Sequence, residues 1–162
     1  MQGGAIELAR RFVEAADQPD LLIVSDMLDL PFFLAYIGRR NFPVAVYFHE
    51  NQITYPWSDT DRDRQAGRFR SYGMINIKSA LAADVCLFNS RFHLDSFVRA
   101  IPLFLAHFPD NRPDWIVDAI EEKSRVLPLG LRLAAIDRSS RVQNERPVIL
   151  WNHRWEYDRC PA

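Results

Sequence analysis

Short, continuously apolar runs recur along this chain: Leu21-Leu22-Ile23-Val24, Val44-Ala45-Val46-Tyr47-Phe48, Val85-Cys86-Leu87-Phe88 and Val148-Ile149-Leu150-Trp151. They are too short for helices and do not alternate apolar with polar, which is the pattern of buried parallel strands. Arg125-Val126-Leu127-Pro128 reads as a further short strand. Between the runs the period changes to that of a helix. Ile6, Leu8, Ala9, Phe12, Val13 and Ala16 predict a helix over 4–16. Leu28, Phe32, Phe33, Ala35 and Ile37 predict a second over 26–40, despite Pro31. Further helices are predicted over 72–83 and 114–122, and after Ser90, where Phe92, Leu94, Phe97, Val98 and Ile101 share a face until Pro102 kinks or ends it. Strand and helix alternate throughout, so the expected fold is α/β, a parallel sheet with helices on both faces.

The 162 residues suffice for one domain with a real core, and 48% apolar residues argue against disorder. The formal net charge of -1 excludes a globally basic nucleic-acid binder, leaving room only for a local patch. Cys86 lies in an apolar run and is expected to be a small buried hydrophobe, while Cys160 stands near the chain end; their spacing indicates no disulfide framework. No apolar run is long enough to span a bilayer and no leader pattern is present, so no membrane role and a cytoplasmic setting are expected. Residues 136–145 form a polar linker and mark the expected domain boundary, which gives a first domain over 1–140 and the start of a second over 146–162.

Ligands of parallel α/β sheets bind beyond the carboxyl ends of the strands. Polar residues stand at four such places: Ser25-Asp26, His49-Glu50-Asn51, Asn89-Ser90 and Asn152-His153-Arg154. A polar loop over 52–70 follows the His49 strand. It carries Arg62, Arg64, Arg68 and Arg70, diluted by Asp59, Asp61 and Asp63. These arginines are candidates for contact with a nucleic-acid backbone, with a solvated loop as the plain alternative. No G-x-G-x-x-G follows any strand, and His49-Glu50 has no second histidine at the spacing of a zinc helix.

Three blocks carry a resemblance. They are Val46-Tyr47-Phe48-His49-Glu50-Asn51-Gln52-Ile53-Thr54-Tyr55-Pro56, Ala82-Ala83-Asp84-Val85-Cys86-Leu87-Phe88-Asn89-Ser90-Arg91-Phe92-His93, and Ile149-Leu150-Trp151-Asn152-His153-Arg154-Trp155-Glu156-Tyr157-Asp158. In this order they resemble the tRNA-queuosine mannosyltransferase family of GT-B enzymes, and more broadly the retaining GT-4 glycosyltransferases. The resemblance implies a Rossmann-like fold and a partial chain. That chain would hold the later part of the N-terminal, acceptor-side domain and the start of the donor-binding domain. It implies transfer of mannose from GDP-mannose to queuosine in a tRNA anticodon, with retention and without a metal or other cofactor. The alternatives are a related enzyme with a different acceptor, or a fragment that is inactive alone.

The same resemblance assigns roles. His49 would reach the donor sugar. Arg154 and Arg159 would neutralise the donor diphosphate, Arg159 standing where related sequences carry lysine. Gly130 would lie near the interdomain cleft. From their chemistry and their place at the strand ends, Glu50, Asn51, Asn89 and Ser90 are expected to serve the acceptor or support the site, and the loop arginines are candidates for contact with the tRNA backbone. Trp57, Trp115, Trp151 and Trp155 are stacking candidates, with Trp151 better explained as core.

Overall fold

A computed structural model describes residues 2–16, 18–134 and 146. The chain divides into two compact units, 1–128 and 129–162, and the elements below belong to the first. Helix α1 spans Gln2–Ala15, strand β1 Leu22–Ser25, α2 Leu30–Ile37, β2 Val44–Phe48, α3 Arg62–Gln65, α4 Phe69–Ala82, β3 Val85–Phe88, α5 Arg91–Leu105, α6 Trp115–Glu121 and β4 Ser124–Val126. The four strands form one sheet in the order β1-β2-β3-β4, parallel throughout. The expected α/β fold with a parallel sheet flanked by helices is therefore present. The linker over 136–145, the last strand and Cys160 lie outside the described residues.

Strand β2 is central. Val44, Ala45 and Val46 are all buried, so both its faces are covered. Phe48 at its end stacks on Phe88 of β3, with ring centroids 4.6 Å apart, and Phe97 of α5 closes on both rings at 5.0 and 5.5 Å. Such spacing gives favourable ring contacts in addition to the area buried. These rings anchor the residues immediately before His49 and Asn89.

Several local expectations are corrected. The run over 21–24 reads as a buried strand, but β1 is an edge among the described residues, paired only with β2. Ile23 is 59% exposed there. An apolar run reports strand propensity, not position within the sheet. A groove of about 640 Å³ lies beside β1, lined by Leu8 and Phe12 of α1 and by Ile23 and Leu28. Helix α2 starts at Leu30 rather than near Asp26. Asp29 caps it by accepting from Phe32 N–H, and Pro31 falls in the first turn, where its missing N–H costs nothing. The polar loop contains the short helix α3, capped by Asp61. Pro102 does not end α5, which runs on to Leu105. Burial of Ile101, Phe104 and Leu105 offsets a proline that costs about 3 kcal/mol inside a helix. Cys86 is buried as expected, and burial pushes its thiol up to about 11. No described helix is long and apolar enough to cross a membrane.

Asp84 joins the starts of β2 and β3. It accepts from Val44 N–H at 2.7 Å and from both terminal nitrogens of Arg40 at 2.8 and 3.1 Å. The Arg40 guanidinium holds the Asp84 carboxyl below its ordinary value, against a smaller opposing effect of burial. A depressed folded value means the bridge contributes above the ordinary carboxylate range of about 3.9 and fails as pH falls through the lowered value. Asp84→Asn should therefore be less stable near neutrality and lose less stability than the parent below about pH 4. Urea unfolding across that range measures both; parallel pH profiles would rule the bridge out as a contributor.

Candidate functional site

The carboxyl ends of β1, β2 and β3 lie side by side, and the polar residues that follow them form one cluster. Asp26, after β1, is 1% exposed. Its Oδ1 accepts from the backbone N–H of His49 at 3.2 Å and lies 3.2 Å from His49 Nδ1. The His49 side chain is 59% exposed, with Tyr47 edge-on at 5.0 Å. A buried carboxylate thus grips one side of a ring whose remainder is open to solvent.

The backbone under this pair is held from α4. Asn76, fully buried, donates to Asp26 O at 3.0 Å and accepts from Gln52 N–H at 3.0 Å. One turn further on, Ser79 donates to Leu28 O at 2.8 Å and accepts from Leu30 N–H at 3.2 Å. Lys78 pairs with Asp29 at 3.3 Å. Helix α4 therefore carries polar side chains that satisfy the backbone of the turns after β1 and β2. The apolar period of this segment gives no sign of them.

Glu50 accepts from Gln52 Nε2 at 3.1 Å. Asn51 is committed to the loop: its Oδ1 accepts from the N–H groups of Ile53 and Thr54 at 3.0 and 3.3 Å, an Asx turn. Ser90 caps α5 by accepting from His93 N–H at 3.1 Å, and Asn89 Oδ1 lies 3.2 Å from His93 Nδ1. Asn89, Ser90 and Asn51 thus have local structural partners, while His49 remains open.

His93 was not singled out by the sequence. It is buried, edge-on to Phe88 at 5.3 Å, and burial holds its pKa below the ordinary value despite the nearby Asp26 carboxylate. Its Nε2 and Asp26 Oδ2 are buried atoms without a hydrogen-bond partner among the described residues. No group of three or more His, Cys, Asp or Glu side chains among the described residues is placed to hold a metal ion.

The four loop arginines are exposed, but they are not equivalent. Arg64 pairs with Asp59 at 3.0 Å and donates to Trp57 O at 2.6 Å. Arg68 pairs with Asp63 at 2.8 Å, and Tyr72 donates to the other Asp63 oxygen at 2.8 Å. Arg68, then Tyr72, lowers the Asp63 pKa. Arg70 lies over the ring of Phe69 at 5.6 Å, and neither Arg62 nor Arg70 has a carboxylate partner among the described residues. Trp57 stacks on Tyr72 at 6.1 Å, while Trp115 is exposed. Gly130 belongs to the second unit; its backbone is not left-handed, and a Cβ there would meet no described atom within 4 Å. Arg154, Arg159, Trp151 and Trp155 lie outside the described residues.

Asn76→Ala should loosen the site. It orphans a buried carbonyl at Asp26 and a buried N–H at Gln52, each costing about 1–3 kcal/mol. Urea unfolding reads the loss, and hydrogen exchange at the Gln52 amide should accelerate; an unchanged exchange rate would contradict the bridging role.

Comparison with known proteins gives the family of the chain. The family model described as "tRNA-queuosine alpha-mannosyltransferase N-terminal" matches residues 1–131. A curated tRNA-queuosine alpha-mannosyltransferase from Drosophila melanogaster is 36% identical, over 72% of this chain and 32% of its own length. This chain therefore spans about a third of that relative. No solved structure matches the chain. With most of its length matched by one model, the chain belongs to the tRNA-queuosine alpha-mannosyltransferase N-terminal family.

Proposed function

We propose that this chain supplies the acceptor-side part of a GT-B enzyme that moves mannose from GDP-mannose to queuosine in a tRNA anticodon, with retention. The observation that carries the reading is His49, exposed at the carboxyl end of the central strand while a buried carboxylate holds its Nδ1. Ligands of parallel sheets gather at that edge. A ring fixed on one side and open on the other suits a hydroxyl-rich ligand. The relative's name supports mannosyl transfer to tRNA queuosine.

In this reading His49 contacts the donor sugar and Glu50 helps orient the acceptor. Asn51, Asn89 and Ser90 support the surrounding backbone. Arg154 and Arg159 neutralise the departing diphosphate, and Gly130 belongs with them on the donor side. Catalysis comes from positioning and from stabilising developing charge. Among the loop arginines, Arg62 and Arg70 carry most of the tRNA phosphate contact, because Arg64 and Arg68 already face carboxylates.

The test uses the full-length protein with GDP-mannose and queuosine-containing tRNA. Mass spectrometry should find one added hexose on the modified base, lost in His49→Ala and Arg154→Ala. Donor binding without hexose transfer would move the acceptor elsewhere. Absence of donor binding would sink the enzymatic reading. Separately, Arg62→Ala with Arg70→Ala should lower the slope of log affinity for tRNA against log salt by about 1 per contact removed, and Arg64→Ala should lower it less. An unchanged slope in the double variant would remove this loop from the tRNA surface.

A further inference from the structure

We infer that Asp26 is a positioning residue that holds His49 as its Nδ1–H tautomer, so that the imidazole meets its ligand through a bare Nε2, as a hydrogen-bond acceptor for a hydroxyl. Asp26 is the buried member of the pair, and its Oδ1 faces two nitrogens of His49: the backbone amide and ring Nδ1, both at 3.2 Å. An ionised carboxylate only accepts, so the ring atom facing it must donate. In an imidazole, the bond made by one nitrogen decides which protonation state the other presents. The amide contact fixes the carboxylate relative to the His49 backbone, and the ring contact then fixes the ring. Tyr47, edge-on at 5.0 Å, further confines it.

The ring's remaining nitrogen makes no bond to a described residue. The neighbouring imidazole differs. His93 is buried, its Nδ1 faces Asn89, and its Nε2 is sealed within the protein. Of the two described histidines at this sheet edge, only His49 is exposed. Asn76 extends the control backward, because its bond to Asp26 O fixes the backbone that carries the carboxylate.

The resulting chemistry is specific. A bare Nε2 accepts from a hydroxyl that donates. That the hydroxyl belongs to a sugar rests on the function proposed above; the tautomer does not. A protonated Asp26 donating to a bare Nδ1 would give the opposite arrangement, with Nε2–H facing the ligand.

Nitrogen-15 imidazole spectra of the full chain distinguish the two. They would be recorded at about pH 8, above the ordinary imidazole range, with His49→Gln to assign the signal. The expected result is a protonated Nδ1 and a bare Nε2 on His49. Asp26→Ala, which removes the acceptor that an amide oxygen would keep, should move the population towards Nε2–H while the tautomer of His107, whose Nδ1 faces Phe104 O at 3.2 Å, stays unchanged, an effect that general loosening of the fold would not produce. A native His49 protonated on Nε2 would overturn the inference, as would an unaltered tautomer in folded Asp26→Ala. If that variant does not fold, the native spectrum decides alone. Neither sugar nucleotide nor tRNA enters the measurement, so its failure is distinct from failure of mannosyl transfer.

Discussion

The two hydrogen bonds of Asn76 hold the arrangement on which the rest of this site depends. One carboxamide, buried in α4, satisfies a carbonyl at the end of β1 and an N–H in the loop after β2. Buried backbone groups need partners, and turns leaving a sheet cannot obtain them from the ladder. An amide side chain, both donor and acceptor, meets the need at two turns at once. Asp26 and His49 are therefore carried on backbone tied to a helix.

A buried carboxylate stands on that tied backbone. Asp26 is almost fully removed from water, where an unpaired charge would be costly. Its Oδ1 receives the His49 amide and faces the ring. The charge thus lies behind an exposed imidazole, where it can orient the ring without meeting solvent. The stacked rings of Phe48 and Phe88, with Phe97 tilted against both, leave little freedom to the strand ends that carry the pair.

The arginine-rich loop illustrates why composition and surface potential differ. Four arginines in nine positions read as a basic patch, but acidic side chains beside them face two of the four. What remains available to an anionic partner is concentrated at Arg62 and Arg70. The same carboxylates help order the loop, since Asp63 also receives the Tyr72 hydroxyl and Trp57 stacks on that ring.

Sequence alone determined the alternation of strand and helix, because burial of β2 and β3 demands continuous apolar runs and the helices need a 3.6-residue period. It gave Val44–Phe48 and Val85–Phe88 to the residue, located His49 at a strand end, and assigned Ser90 as a cap, since a serine before a helical period satisfies a free N–H. The three blocks around His49, Ser90 and Arg154 were enough for the family. Tertiary structure decided what depends on contacts distant in the chain. It made β1 an edge, carried α5 past Pro102, and spent Asn51 and Asn89 on local bonds. It also joined Asp26 to His49, 23 positions away, and Asn76 to both neighbouring turns. No periodicity encodes such pairings, because a buried polar side chain is defined by the partner it finds rather than by its spacing.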